Sequence, residues 1–433
     1  MPKPTSPSLI RGAAVLGAVG LLAGACGGSG GTPSTTSGSP TTTVAASPGA
    51  TSGVSATTVK IGVITSTVGV AAAEFTNYPK GIEARIDQQN AAGGIDGRRI
   101  VLTTADDAGS LTQDLTAAKE LVNQNVFAVI PGSPLFFASA KFLNQQAVPV
   151  IGSGFDGPEW GQQPYTNMFS TVQTDPHYPQ STTVADFFKA RGATDVGALG
   201  YQISPSSSTA AKGFIYSAKQ VGLKGGYLNT SIPFGSVDLT SASLAEKSSG
   251  IDGLYLAMDY NTNLAAVTDA KQAGLNLKVA FLLTGYDQSL LDDPTAVQNA
   301  QGAYFYTAGA PVELDNAATR NFTSALAKYE GFHGVPGYDY YEGWQDADLL
   351  IKGLEVSGRT LSRPRFISQL RAVTSWDAEG LLPTPVNFSL ADFGQPLQVS
   401  CQWYVQLKGH SFVPVPADGR PTCGRLIPNS NQS

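Results

Sequence analysis

Histidine and cysteine are scarce in this chain, three of each in 433 residues. The histidines have no close His/Cys spacing, which argues against a structural zinc site and leaves only metal binding through carboxylates open. No P-loop or HExxH sequence occurs, and no nucleophile–base pair is visible, so neither a cofactor nor an enzyme is expected. Lysine and arginine total 27 against 33 aspartates and glutamates, a formal net charge of −6. The basic footprint of a nucleic-acid binder is therefore missing. Charge is absent altogether from Gly27 to Thr57, as is any apolar side chain larger than Val44 and Val54. Such a segment cannot bury enough surface to offset the entropy of ordering it, so disorder is expected. As a Gly/Ser/Thr coil it would reach roughly 30 Å on average.

What precedes that segment is patterned. Lys3 and Arg11 lead an uncharged run from Gly12 to Ala25, too short to span a bilayer comfortably, and this reads as a signal peptide over residues 1–25. The sequence Leu22-Ala23-Gly24-Ala25-Cys26 resembles a bacterial lipobox, with the leucine one place early and Ala23 where leucine is usual. It also reads as Ala-x-Ala, which suits ordinary secretory cleavage. A cysteine at the cut and "GGSGG" after it favour lipidation of Cys26. Residues 26–57 then form a lipid-anchored linker on the extracytoplasmic face of the cell membrane, with free secretion as the alternative. Cys401 and Cys423 remain. Outside the cytoplasm they can form a disulfide, the alternative being a free buried pair.

From Val59 onward, β-branched runs alternate with runs of helical period. Strands are expected at Val59–Ile64, Ile100–Thr104, Phe127–Ile130 and Val148–Ile151. Phe75, Tyr78, Ile82 and Ile86 lie on one helix face, and "AAGG" at Ala91–Gly94 ends that helix. Ser110-Leu-Thr-Gln113 looks like a capping box, with Leu111, Leu115, Ala118 and Val122 pointing inward. The pattern restarts after Thr174, with strands at Asp195–Leu199, Gly226–Asn229, Gly253–Ala257 and Val279–Leu282. The junction falls near Thr171–Asp175. Strands separated by helices imply βαβ units and a mostly parallel sheet in each of two α/β modules. A helix-rich stretch follows, with helices at Ala317–Tyr329, Tyr338–Leu354 and Arg365–Val373. The chain then closes on a β-hairpin turning at Lys408-Gly409-His410. Within the second of those helices, Tyr340, Trp344, Ala347 and Ile351 are spaced for packing on a sheet.

The segments "VKIGVITSTVGVAAAEF", "GIEARIDQQNAAGGIDGRRIVLTTADDAG", "AAKELVNQNVFAVIPGS" and "QQAVPVIGSG" resemble the leucine/isoleucine/valine-type periplasmic binding proteins. "EGLLPTPVNFS" and "WYVQLKGHSFVPV" resemble that family's closing segment, so the likeness runs in order from Val59 to Val415. The resemblance implies a type I periplasmic-binding-protein fold. In it, two doubly wound parallel-sheet lobes are joined by three crossings, and a small solute is caught between them for an ABC permease. On this reading residues 58–172 form lobe 1 with about 285–380, and residues 173–284 form lobe 2 with about 381–428.

Ligands of open parallel sheets bind beyond the carboxyl ends of the strands. Those ends carry Ser66 and Thr67, then Ser133, then Ser153, Gly154 and Phe155, and in the second module Tyr201, Asp259, Tyr260 and Tyr286. Hydroxyls and free N–H groups suit an acceptor, and tyrosines offer an apolar wall with a hydrogen bond. Asp259 can pair with a ligand ammonium, the role the resemblance gives a carboxylate in amino-acid binders, the alternatives being a solvated turn carboxylate or a cap on the following helix. The pattern departs from amino-acid binders at Val68-Gly69-Val70, Phe75-Thr76-Asn77, Phe155 and Asp156, which leaves the solute open. Gly152-Ser-Gly154-Phe-Asp-Gly157 has the spacing of a dinucleotide fingerprint, but a loop follows where a helix is required. The expected protein is a monomeric solute-binding lipoprotein of an importer, taking a small polar or aromatic solute. A ligand sensor feeding a signalling partner is the alternative.

Overall fold

A computed structural model describes residues 51–154, 156–172, 180–394 and 399–427. Cys26, the signal segment, most of the linker and Phe155 lie outside the described residues. The last linker residues are ordered, contrary to expectation. Ser55 Oγ accepts the Thr58 N–H at 2.8 Å, Val54 bridges to Val59, and the Gly53 carbonyl accepts from Lys60 at 2.8 Å. Gly53 has φ +73, and a Cβ there would run into the backbone at Phe127.

Strands β1 (Thr58–Thr65), β2 (Arg99–Asp106), β3 (Ala128–Gly132), β4 (Val150–Gly152) and β5 (Met168–Ser170) form a sheet of order β2-β1-β3-β4-β5. Every pairing in it is parallel. β3 is buried along its whole length, as a strand covered by helices on both faces must be. The second sheet contains β6 (Gln180–Ser181), β7 (Asp195–Tyr201), β8 (Lys224–Ile232), β9 (Gly253–Ala257), β10 (Val279–Leu282), β11 (Tyr304–Thr307), β12 (Val399–Lys408), β13 (Ser411–Val415) and β14 (Thr422–Ile427). Its parallel part runs β8-β7-β9-β10-β11, which repeats the winding of the first sheet. β12, β14 and β6 extend it antiparallel, and β13 returns from β12 through Gly409-His410. The two modules are thus mixed α/β with a shared topology, and the antiparallel edge contains the expected β12–β13 hairpin together with β14 and β6, which were not expected.

The chain passes from the first sheet to the second between Ser170 and Gln180, returns after Thr307, and crosses again between Phe388 and Val399. The return lies later than the residue near 285 expected from the sequence, because β11 hydrogen-bonds to β10 inside the second sheet. Cys401 and Cys423 are in register on β12 and β14 and form a disulfide.

The helix Tyr338–Ser357 packs on the helix Tyr78–Ala91 and on the first sheet. Two glycines make the close crossing possible. A Cβ on Gly81 would strike the Tyr340 carbonyl, and one on Gly343 would strike the Tyr78 carbonyl. Tyr340, Trp344, Ala347 and Ile351 are buried, as their spacing predicts. In the helix Leu111–Asn123 the inward face is instead Asp114, Ala117, Ala118 and Leu121, and Leu111 is exposed. The Ser139 hydroxyl donates to Asp114, which draws that face one position round. Ser110 forms no side-chain cap, so the capping box does not form.

Candidate functional site

In sheets of this winding the crevice opens where neighbouring strands send their connections to opposite faces, here between β1 and β3 and between β7 and β9. A cavity of about 450 Å³ lies among residues of both modules. Glu74, Pro134, Ser153, Tyr338 and Glu342 line it from the first, and Tyr201, Phe234, Tyr255, Asp259 and Tyr306 from the second. The first two crossings also contribute, through Thr171 and Val172 and then through Ala308, and β12 adds Ser400 to Trp403. At one edge the modules meet, since a Cβ on Gly235 would sit 3.4 Å from Val70 Cβ.

Of the residues singled out in the sequence, Ser153, Tyr201 and Asp259 line this cavity. Tyr201 ends β7 and Asp259 follows β9, so the strand order brings them together. The Tyr201 hydroxyl donates to Asp259 and lies 2.6 Å from Thr262 Oγ1. Burial and the Asp259 charge raise the Tyr201 pKa. Asp259 also caps the helix Tyr260–Gln272, accepting the Thr262 N–H at 3.0 Å. It is a cap and a cavity residue at once.

The other candidates lie outside the lining. Ser66 donates to Asp107 at 2.5 Å and Ser133 donates to the other oxygen of the same carboxylate. The serines that looked open to a ligand are thus bonded across the ends of β1 and β3. Thr67 donates to Asp106. Gly154 takes φ +68 in the turn after β4. Tyr260 is half-buried on its helix, and burial raises its pKa to about 12. Tyr286 donates to Glu313 at 2.7 Å and packs on Phe412. Asp156 faces away, accepting from Trp160 Nε1 at 2.6 Å, and burial raises its pKa to about 8. The turn after Gly157 is a short 3-10 helix, Pro158–Gly161, so the glycine spacing opens no dinucleotide-binding helix.

Glu74, Tyr338 and Glu342 were missed. Tyr338 and Glu342 are four apart, so they share a helix face distinct from the packing face of Tyr340 and Trp344. That spacing was the available signal. Glu342 accepts from Ser153 and Tyr338 and is 6 % exposed. Burial raises its pKa to about 7. Glu74 ends up in the cavity through the short helix Ala72–Phe75, and nothing in its local sequence marks it. Burial and the charges of Asp259 and Glu342 raise its pKa well above the carboxylate range.

The family model described as "Periplasmic binding protein" matches residues 58–411. A "Leu/Ile/Val-binding protein homolog 3" of Brucella melitensis is 30% identical over 131 residues, which is 30% of this chain and 35% of that protein. The alignment therefore spans about a third of that relative. Among solved structures, a fatty acid ABC transporter substrate-binding protein from Thermomonospora curvata superposes with a TM-score of 0.71 at 20% identity, covering 88% of this chain and 94% of its own. An ABC transporter solute binding protein from R. palustris, in complex with benzoate, gives 0.69 at 17% identity, covering 86% and 98%. At such identities the likeness establishes the fold. No helix among the described residues is long and apolar enough to cross a membrane.

Proposed function

Because this chain belongs to the periplasmic binding protein family, we propose that it captures a small polar or aromatic solute between its lobes and delivers it to an ABC permease. One observation carries the reading: one cavity is lined by residues of both modules and of two of the crossings between them, so an occupant touches both lobes at once. Hinge closure around a solute is a ligand-driven population shift and needs no covalent chemistry. We further propose that Cys26 is acylated and that the linker holds the domain outside the cell membrane.

A thermal-shift screen on the chain, refolded from denaturant to strip any carried-over solute, tests the capture. A ligand at 100 times its dissociation constant adds about 2.7 kcal/mol of stability. Stabilisation by at least one amino acid, amine, amide, aromatic acid, polyol or nucleoside is expected, together with compaction in solution scattering. A silent panel and an unchanged radius would sink the reading. For the anchor, Cys26→Ala expressed in a bacterial host is expected to move the protein from the membrane fraction to the soluble one. An unchanged distribution would mean that Cys26 carries no lipid.

A further inference from the structure

Among the described residues, the cavity is lined by three carboxylates, Glu74, Asp259 and Glu342, and by no lysine, arginine or histidine. Six aromatic residues complete it, among them Trp403, Tyr306 and Phe234, with Phe234 edge-on to Tyr201 at 4.9 Å between ring centres. The carboxylates differ in how far the protein satisfies them. Asp259 is engaged by Tyr201 and Thr262, and Glu342 by Ser153 and Tyr338. Glu74 has no hydrogen-bond donor or cationic partner among the described residues.

Two neighbouring serines already make hydrogen bonds within the protein. Ser207 donates to the Ala257 carbonyl, and Ser204 caps the helix Pro205–Gln220 by accepting the Ser207 N–H. A carboxylate ligand would thus enter a cavity that presents three carboxylates and, among the described residues, no cationic side chain. Burying a charge without a partner is expensive, and an incoming ammonium is the partner this lining lacks. Rings add attraction for a cation over their faces.

Resting on the capture reading above, we propose that the solute is an organic cation: a protonated or quaternary amine on an apolar or aromatic body, held by Glu74 and Glu342 within the aromatic wall. Glu74 belongs to the first lobe and feels the charge of Asp259 on the second. Burial and that charge favour the protonated form of Glu74, and a cation between the two carboxylates favours its ionised form, so the ligand's charge helps to hold the lobes together.

The probes are benzylamine, benzyltrimethylammonium, benzyl alcohol and benzoate, which share one ring and differ in charge, titrated calorimetrically into refolded protein. Both cations are expected to bind at least about tenfold more tightly than the alcohol or the acid. Glu74→Gln and Glu342→Gln, which keep side-chain shape, are expected to weaken the cations about tenfold while leaving the alcohol unchanged. Benzoate or benzyl alcohol binding as tightly as the amines overturns the cation assignment and leaves solute capture standing. A cation preference that survives both substitutions overturns the assignment to these carboxylates. Silence of all four probes, beside hits elsewhere in the broad screen, overturns the cation proposal alone. Silence in both overturns the capture reading as well.

Discussion

The Ser153 hydroxyl donates to the Glu342 carboxylate, joining the end of β4 to a helix that arrives 189 residues later in the chain. Through it, the wall of the cavity and the packing of the first lobe share a residue. Ser153→Ala should leave the buried carboxylate one donor short. A hydrogen bond to a charged group contributes about 1.5–3 kcal/mol, and that much loss of stability is expected in urea denaturation above pH 7. The pKa of Glu342 should rise further, because the lost bond favoured its ionised form. An unchanged denaturation midpoint would show that the bond contributes nothing.

Glu342 also sets a pH dependence. Its pKa is raised from 4.5 to about 7, chiefly by burial, with the Asp339 charge adding to it and bonds from Ser153 and Tyr338 opposing it. Glu74, Tyr78, Tyr306 and Asp346 lie within range of its charge. The folded state therefore holds a proton that the unfolded chain has released, and this contribution, full below pH 4.5, is lost as pH rises through about 7. Glu342→Gln should gain stability relative to the parent over that window and hold the gain above it. Denaturation midpoints at several pH values measure the difference, and parallel curves would refute it.

Gly81 and Gly343 each sit where the other helix's backbone passes. Replacing either with alanine should force the helices Tyr78–Ala91 and Tyr338–Ser357 apart at a cost of about 1–3 kcal/mol, the range for overpacking. Because Glu342 neighbours Gly343, the Gly343→Ala change should also weaken binding of any solute found in the screen. Gly81→Ala with unchanged thermal stability would contradict the close crossing.

The Cys401–Cys423 bond closes a loop of 22 residues between two paired strands. Chain-entropy reasoning puts its contribution at about 3 kcal/mol. The double change Cys401→Ser with Cys423→Ser should lower stability by about that amount and remove the response of the melting temperature to reductant. Cys401 lines the cavity, so solute affinity should fall too. A reductant-sensitive melt in the double variant would mean that another thiol is responsible.

Much of this architecture is written locally. The short apolar runs that became β1, β3, β7, β9 and β10, the helix face of Tyr78, Ile82 and Ile86, and the hairpin at Gly409 all follow from side-chain period and turn residues, whereas Phe75, expected on that same face, lies in the separate short helix Ala72–Phe75. Those are nearest-neighbour properties, readable without knowing what the segment will touch. β5 and β11, at three and four residues, were not expected from the sequence, and β11 moved the return crossing. Tyr201 and Asp259 were legible as cavity residues because strand ends are where such sheets bind. Ser66 and Ser133 looked equivalent in sequence, yet one carboxylate, Asp107, takes both hydroxyls. Glu74 and Glu342, separated by more than half the chain, acquire their shared cavity only when the helix Tyr338–Ser357 docks on the first lobe. The sequence determined the elements, their alternation and the family likeness, because each depends on neighbours along the chain. The tertiary structure decided which polar groups satisfy one another and which are left facing the cavity, because burial and pairing depend on distance in space.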